Sequence, residues 1–224
     1  SKNGFRVVPC CTETSLLLNF ADMVASSGAD LITGYNIFGF DWEYIYRRCQ
    51  ILNVETDFFS RISKKTLNQR EIDYKENHFW TKRLSTSAYG DNTFKLVNTI
   101  GIIPFDLYAV VKKEHRMDSY KLDDVAFHFT GNRKKDLKPS QLFQALKESR
   151  ESCIKAAEYC IQDALLVVDL VKKLNCVENL IEMCNITKVS ADCIVLRGQQ
   201  IKVYSIICAC AHLKNFAVPQ SAWN

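Results

Sequence analysis

The chain has 224 residues, of which 47% are hydrophobic and 24% charged, with only 8 glycines and 4 prolines. That composition excludes disordered and fibrous classes and suffices for one globular domain with a small appendage. The net charge of +4 is too modest to mark a nucleic-acid binder by itself, and the longest apolar runs, Ala164 to Val168 and Val203 to Ala211, are too short or too polar-flanked to span a bilayer.

Phe5 to Val8 is a short strand candidate. Thr14 to Ala25 carries Leu17, Phe20 and Val24 at helical spacing, and Gly28 stops that helix. Asp30 to Tyr35 reads as a buried strand. Asp41 to Gln50 reads as a helix whose first residue is an N-cap aspartate. The tract from there to about Gly90 is polar and expected to be irregular. Phe94 to Val97 and Ile102 to Leu107 flank a glycine turn and suggest a hairpin. Helices follow near Asp118 to Phe129, Ser140 to Lys147, Glu151 to Leu174, Val177 to Thr187 and Gly198 to Leu213. Strands alternating with helices give an α/β fold.

Ten cysteines are present, but they form no paired C-x-x-C ligand set. Cys153, Cys160, Cys184, Cys208 and Cys210 lie in apolar helical patterns and read as small buried thiols, which favours a reducing compartment and argues against structural zinc. Cys10 and Cys11 would point to opposite faces of a strand, a poor chelate. Residues Ser1 to Asn19 lack a signal-peptide layout, so an intracellular protein is expected. Between Arg61 and Lys95 eight basic residues outnumber four acids, with Tyr74, Phe79, Trp80 and Tyr89 interleaved. Such a tract suits phosphate contact and base stacking, but a solvated surface insertion is the favoured reading.

Within the helix Glu151 to Leu174, Tyr159 and Asp163 are four apart and so project from one face. Most of their neighbours are apolar, which makes an ionised Asp163 expensive unless it is paired. A cation or a metal would relieve that cost, as would an arginine or a helix terminus nearby. Taken singly, then, Asp41 and Asp163 both have plain structural explanations. Their joint occurrence, in order, among further matching words changes the reading.

Those words resemble the proofreading exonuclease domain of family-B DNA polymerases, in wording closest to the delta-like and large-DNA-virus members. "TGYNIFGFD" is similar to the family's second exonuclease motif, Y-N-x-x-x-F-D, and "YCIQD" to its third, Y-x-x-x-D. "SAYGDNTFK", "GIIPFDLY" and "DSYKLDDVAFHFTGNRKKDL" follow the intervening segment, and "RGQQIKVYS" resembles the stretch leading toward the polymerase palm. The resemblance covers essentially the whole chain. It implies a ribonuclease H-like exonuclease fold, a mixed sheet flanked by helices. Residues 1–188 would form the exonuclease domain and 189–224 a helical connector toward the palm.

The chemistry implied is 3′-to-5′ hydrolysis at single-stranded or mismatched DNA ends by two divalent metals, Mg²⁺ or Mn²⁺, about 3.5 to 4 Å apart. Hard cations favour carboxylate oxygen. By the motif match, Asp41 and Asp163 would be catalytic metal ligands, Tyr159 would orient the attacking water, and Asn36 and Phe40 would hold the primer end. The implied partners are DNA, the remainder of a polymerase chain and a processivity factor, with no membrane, in a nucleus or at a cytoplasmic viral replication site. The pattern departs from the family at two places. The first motif, an Asp-x-Glu, is absent: the only D-x-E is Asp41-Trp42-Glu43, with Glu43 at the family's usual proline position. The missing carboxylates, a first strand and the palm aspartates are expected outside this sequence, so the chain alone is expected to be inactive. Ile102 stands where the family commonly has arginine. A second class of function remains open, a module that guides single-stranded DNA without hydrolysis. A stand-alone exoribonuclease is disfavoured because "RGQQIKVYS" has no role in it.

Overall fold

In the computed structural model, which describes residues 8–54, 79–86, 90–97, 101–133 and 139–218, the chain enters helix α1 (Glu13–Ser26). Thr12 begins it with a capping box, its hydroxyl accepting from the Ser15 N–H while the Ser15 hydroxyl accepts from the Thr12 N–H. These bonds satisfy backbone donors that a first helical turn leaves without partners. Strand β1 (Leu31–Gly34) follows, then a turn and helix α2 (Trp42–Ile51).

Strand β1 pairs parallel with the distant β4 (Ile103–Asp106), Leu31 opposite Ile103 and Gly34 opposite Asp106. The hairpin expected between Phe94 to Val97 and Ile102 to Leu107 does not form. Instead β2 (Phe79–Thr86) pairs antiparallel with β3 (Gly90–Val97), so the tract before Gly90 is not irregular throughout. The glycine turn is real, with Gly101 at φ +81°, but it passes the chain from one sheet to another. Two apolar runs beside a glycine cannot by themselves say which partner each run takes. The proposed Phe5 to Val8 strand lies outside the described residues, apart from Val8, which belongs to no regular element. Residues 61–78 of the basic tract are also outside them.

Helix α3 (Leu107–Glu114) begins directly at the end of β4, where the Asp106 side chain accepts from the Tyr108 N–H as its cap. Its apolar start reads in sequence as a continuation of the strand. Helix α4 (Leu122–Thr130) starts four residues later than expected because Lys121 is extended (ψ 144°), and it ends on Gly131 at φ +73°. Such a left-handed stop costs glycine little. Helices α5 (Pro139–Glu148), α6 (Arg150–Lys173, capped by Ser149), α7 (Cys176–Thr187) and α9 (Gln199–Leu213) match the expected ones within a residue or two. A short α8 (Ala191–Leu196) was not anticipated.

The main core joins β4, α3, α4, α6 and α7 through Phe105, Leu107, Val111, Val125, Leu170 and Leu180, with Leu31 and Tyr35 packed against it. A second cluster holds Phe38, Trp42 and Leu96. Val195 of α8 touches both. All ten cysteines are free thiols, but the buried ones are Cys49 and Cys176. Cys160 and Cys210 are exposed and Cys153, Cys184 and Cys208 half-buried, which corrects the expectation for these five. The reason is that α6, α7 and α9 carry apolar residues on outward faces too, including Ile154, Val168, Ile186, Val203 and Ile207, so an apolar neighbourhood in sequence is no measure of depth. Among the described residues no helix is long and apolar enough to cross a membrane.

Candidate functional site

The segment Tyr35–Asp41 leaves β1 through an unusual turn. Asn36 adopts left-handed geometry, φ 63° and ψ 29°, a conformation asparagine tolerates better than most residues. Its carbonyl accepts from both Gly39 and Phe40 N–H at 3.1 Å. Ile37–Asp41 is a π-helical turn closed by the Trp42 N–H donating to the Ile37 carbonyl, a wider step than an α-turn, of the kind that re-aims side chains at functional sites. Two glycines permit it: a Cβ on Gly34 would collide with the Ile37 side chain, and one on Gly39 with the Asn36 amide.

One carboxylate holds this turn. Asp106 is only 2% exposed, and its Oδ1 accepts from the Asn36 N–H (2.8 Å) and the Tyr108 N–H (3.0 Å) while Oδ2 accepts from the Phe38 N–H (3.0 Å). The parallel register explains why it reaches: Asp106 is the residue opposite Gly34, one position before the turn begins. Burial pushes the Asp106 pKa up to about 6, with the Asp41 charge adding to the rise and the three N–H donors opposing it. Tyr35 closes the other side, its hydroxyl donating to the Tyr120 carbonyl at 2.7 Å. Burial raises the Tyr35 pKa, so its phenol stays protonated.

Of the candidates, Asn36, Phe40 and Asp41 are exposed together on this turn. Phe40 is 62% exposed and its ring stacks on Tyr44 at 5.9 Å between centroids and 11° between planes. Asp41 stands at the N-cap position of α2 as expected, but its backbone is already helical (φ −64°, ψ −46°) and its side chain makes no capping bond. The helix begins earlier, through the π-turn, and Asp106 serves the donors of that turn. Although Asp41 as a residue is exposed, partial burial of its carboxyl raises its pKa above the ordinary value. Glu43 forms an ion pair with Arg47 one turn along α2. Ile102, where the family commonly has arginine, is buried at 3% exposure.

Tyr159 and Asp163 are both half-buried on α6. Asp163 is seven residues from Ala156 and seven from Leu170, which are 3% and 0% exposed, so it lies on the inward stripe of its helix. Leu166 and Val167, one turn further, join the same core as Phe105, Leu31 and Tyr35. Thus the helix carrying Asp163 and the strand leading to Asp41 pack into one cluster. Among the described residues no three His, Cys, Asp or Glu side chains gather as a metal-binding group. The donor chemistry of Asp41 and Asp163 nonetheless suits a hard cation, since both offer carboxylate oxygen. Asp106 is the residue that sequence reading passed over. Its signal was available as an aspartate at a strand end directly before the apolar run Leu107 to Val111, an N-cap pattern.

The α/β chain thus carries a reshaped turn that bears an exposed carboxylate and an exposed aromatic ring. Residues 1–125 match the family described as DNA polymerase family B, exonuclease domain, and the chain belongs to that family. It is 29% identical to the DNA polymerase of Pyramimonas orientalis virus, over 96% of this chain and 22% of that protein. Its identity is 34% to DNA polymerase 120R of Invertebrate iridescent virus 3, over 90% of this chain and 18% of the relative. Against the DNA polymerase delta catalytic subunit of Oryza sativa subsp. japonica it is 31%, over 96% and 19%. The chain spans about a fifth of the length of these relatives.

Proposed function

We propose that the chain is the 3′-to-5′ proofreading region of a replicative DNA polymerase, hydrolysing phosphodiesters at single-stranded or mismatched 3′ DNA ends. The observation that carries this reading is the turn itself: a buried carboxylate fixes Tyr35–Asp41 from below, leaving Asp41, Phe40 and Asn36 facing outward together. Fixed geometry of this kind is what positioning chemistry requires. On this reading Asp41 and Asp163 hold Mg²⁺ or Mn²⁺, Tyr159 orients a water through its phenol, and Asn36 and Phe40 receive the terminal nucleotide. Bound divalent ions supply an activated water and neutralise charge on the phosphate. The fold is then ribonuclease H-like, with residues 1–188 as the exonuclease domain and 189–224 as the connector to a palm. The partners are primer DNA, the rest of a polymerase chain and a processivity factor, within a nucleus or a viral replication site.

Asp41→Ala and Asp163→Ala in the complete polymerase should each remove metal-dependent digestion of a single strand while nucleotide addition continues; Tyr159→Phe should be milder. Full digestion by Asp41→Ala would refute the assignment. The exposed Phe40–Tyr44 stack also fits a module that guides single-stranded DNA without cutting it. That alternative predicts unchanged strand binding and no hydrolysis in the unsubstituted polymerase. Under the proofreading reading, mismatched 3′ ends are cut faster than matched ones, because their separation cost is already reduced.

A further inference from the structure

The backbone at Phe40 is held by its own N–H on the Asn36 carbonyl at 3.1 Å, and the Asp106 carboxylate fixes the start of the same turn. The side chain has no such anchor within the turn. Phe40 is 62% exposed, and among the described residues its one ring contact is with Tyr44. A ring alone in solvent would exchange between rotamers, and a ligand would have to fix it on binding. Tyr44 stands four residues on, near the start of α2, where a helical side chain leans back over the residue one turn before it. The pair is offset-stacked, 5.9 Å between centroids and 11° between planes, within the range of favourable aromatic pairs. Tyr44 is itself exposed, so the two rings present surface to solvent instead of filling a core. The cations beside them are engaged elsewhere: Arg47 pairs with Glu43, and Arg48 with Glu13 at 2.6 Å. The face that remains is aromatic and not cationic.

We propose that Tyr44 is a positioning residue for the 3′ end: it holds the Phe40 ring in one orientation, so that the terminal base stacks on a platform already fixed. This rests on the proofreading reading, which assigns Phe40 to the terminal nucleotide, and adds the residue that sets the ring. Such a platform accepts any base, because every base has a π-face, and it accepts one only after that base has left its own duplex stack. Fixing the ring beforehand removes an ordering cost from binding, which is how a side chain strengthens the hold on DNA through its neighbour. Recognition by ring faces also depends little on salt, unlike contact with phosphates.

The test uses the complete polymerase and a single strand carrying 2-aminopurine as its 3′-terminal base, titrated in EDTA so that binding is read by fluorescence without cutting. Tyr44→Ala should weaken binding about fivefold, inside the roughly two- to tenfold that one aromatic pair supplies. Tyr44→Leu, which keeps bulk without a ring face, should do the same, and Tyr44→Phe should keep full binding. Because Tyr44 is exposed, these variants should change stability little. In a Phe40→Ala background Tyr44→Ala should cost nothing further, the mark of a residue that acts through its neighbour. The loss should be the same at low and high salt. Unchanged binding by Tyr44→Ala, an equal loss in the Phe40→Ala background, a loss that disappears at high salt, or damage by Tyr44→Phe as large as by Tyr44→Ala would overturn the proposal. A separate arm with Mg²⁺ asks whether the unsubstituted polymerase digests the strand. Failure there refutes the proofreading reading, while the metal-free coupling of Tyr44 to Phe40 decides this one.

Discussion

Ahead of Asp41 the backbone is fixed by two N–H groups, of Asn36 and Phe38, donated to the Asp106 carboxylate, whereas around Asp163 the helix packs through apolar side chains one or two turns away on each side. The first arrangement is directional, and it depends on the protonation state of a buried acid. The second, in its apolar part, is non-directional. The two flanks of one candidate site should therefore fail under different insults. A polar substitution or a pH change should loosen the turn and spare the helix, and loss of core volume should do the reverse.

The largest expected effect comes from Asp106→Ala, which leaves three backbone donors without their acceptor in a buried place. A loss of about 4 kcal/mol is expected, at about 1–3 kcal/mol for each stranded group. Urea unfolding would measure it, and hydrogen exchange should rise first at Asn36 and Phe38. Next comes Leu170→Ala, at 0% exposure, with an expected cost of about 3 kcal/mol from lost burial plus a cavity. Here exchange should rise along α6 while Asn36 and Phe38 stay protected; equal loosening of both regions by either variant would dissolve the comparison.

The pH dependence sharpens it further. The folded Asp106 pKa of about 6 exceeds its ordinary 3.8, so the folded state holds this proton more tightly. Its contribution is fully present below about pH 3.8 and is lost as pH rises through about 6, on the order of 2–3 kcal/mol in all. Asp106→Asn should remove that slope from the denaturant midpoint between about pH 4 and 7. Leu170→Ala should retain it. Smaller still, Tyr35→Phe deletes the 2.7 Å bond to the Tyr120 carbonyl and should cost about 1–2 kcal/mol, read as a lowered Tm. Phe40→Ala should change stability by less than about 0.5 kcal/mol because the ring is exposed. Its expected effect is on binding of a single-stranded 3′ end, measured by fluorescence anisotropy.

Much of the helical part was legible in the chain itself, because helix signals are local. The cap at Ser149, the periodic stripe through Ala156, Asp163 and Leu170, and the glycine stop at Gly131 all act within a few residues. That Asn36, Phe40 and Asp41 share one turn was legible too, since their motif words are contiguous. Pairing was not legible. Parallel β1–β4 joins residues some seventy positions apart, and no local signal distinguishes that partner from a hairpin across Gly101. For the same reason only the cap that Asp106 gives to α3 was legible: its hold on Asn36 and Phe38 depends on lying opposite Gly34, which the register alone establishes. The depth of Lys202 and the shallowness of Cys160 and Cys210 were likewise decided by which helix faces met. Sequence fixes what each segment can do locally, while burial and charge compensation depend on neighbours that only the packed chain brings together.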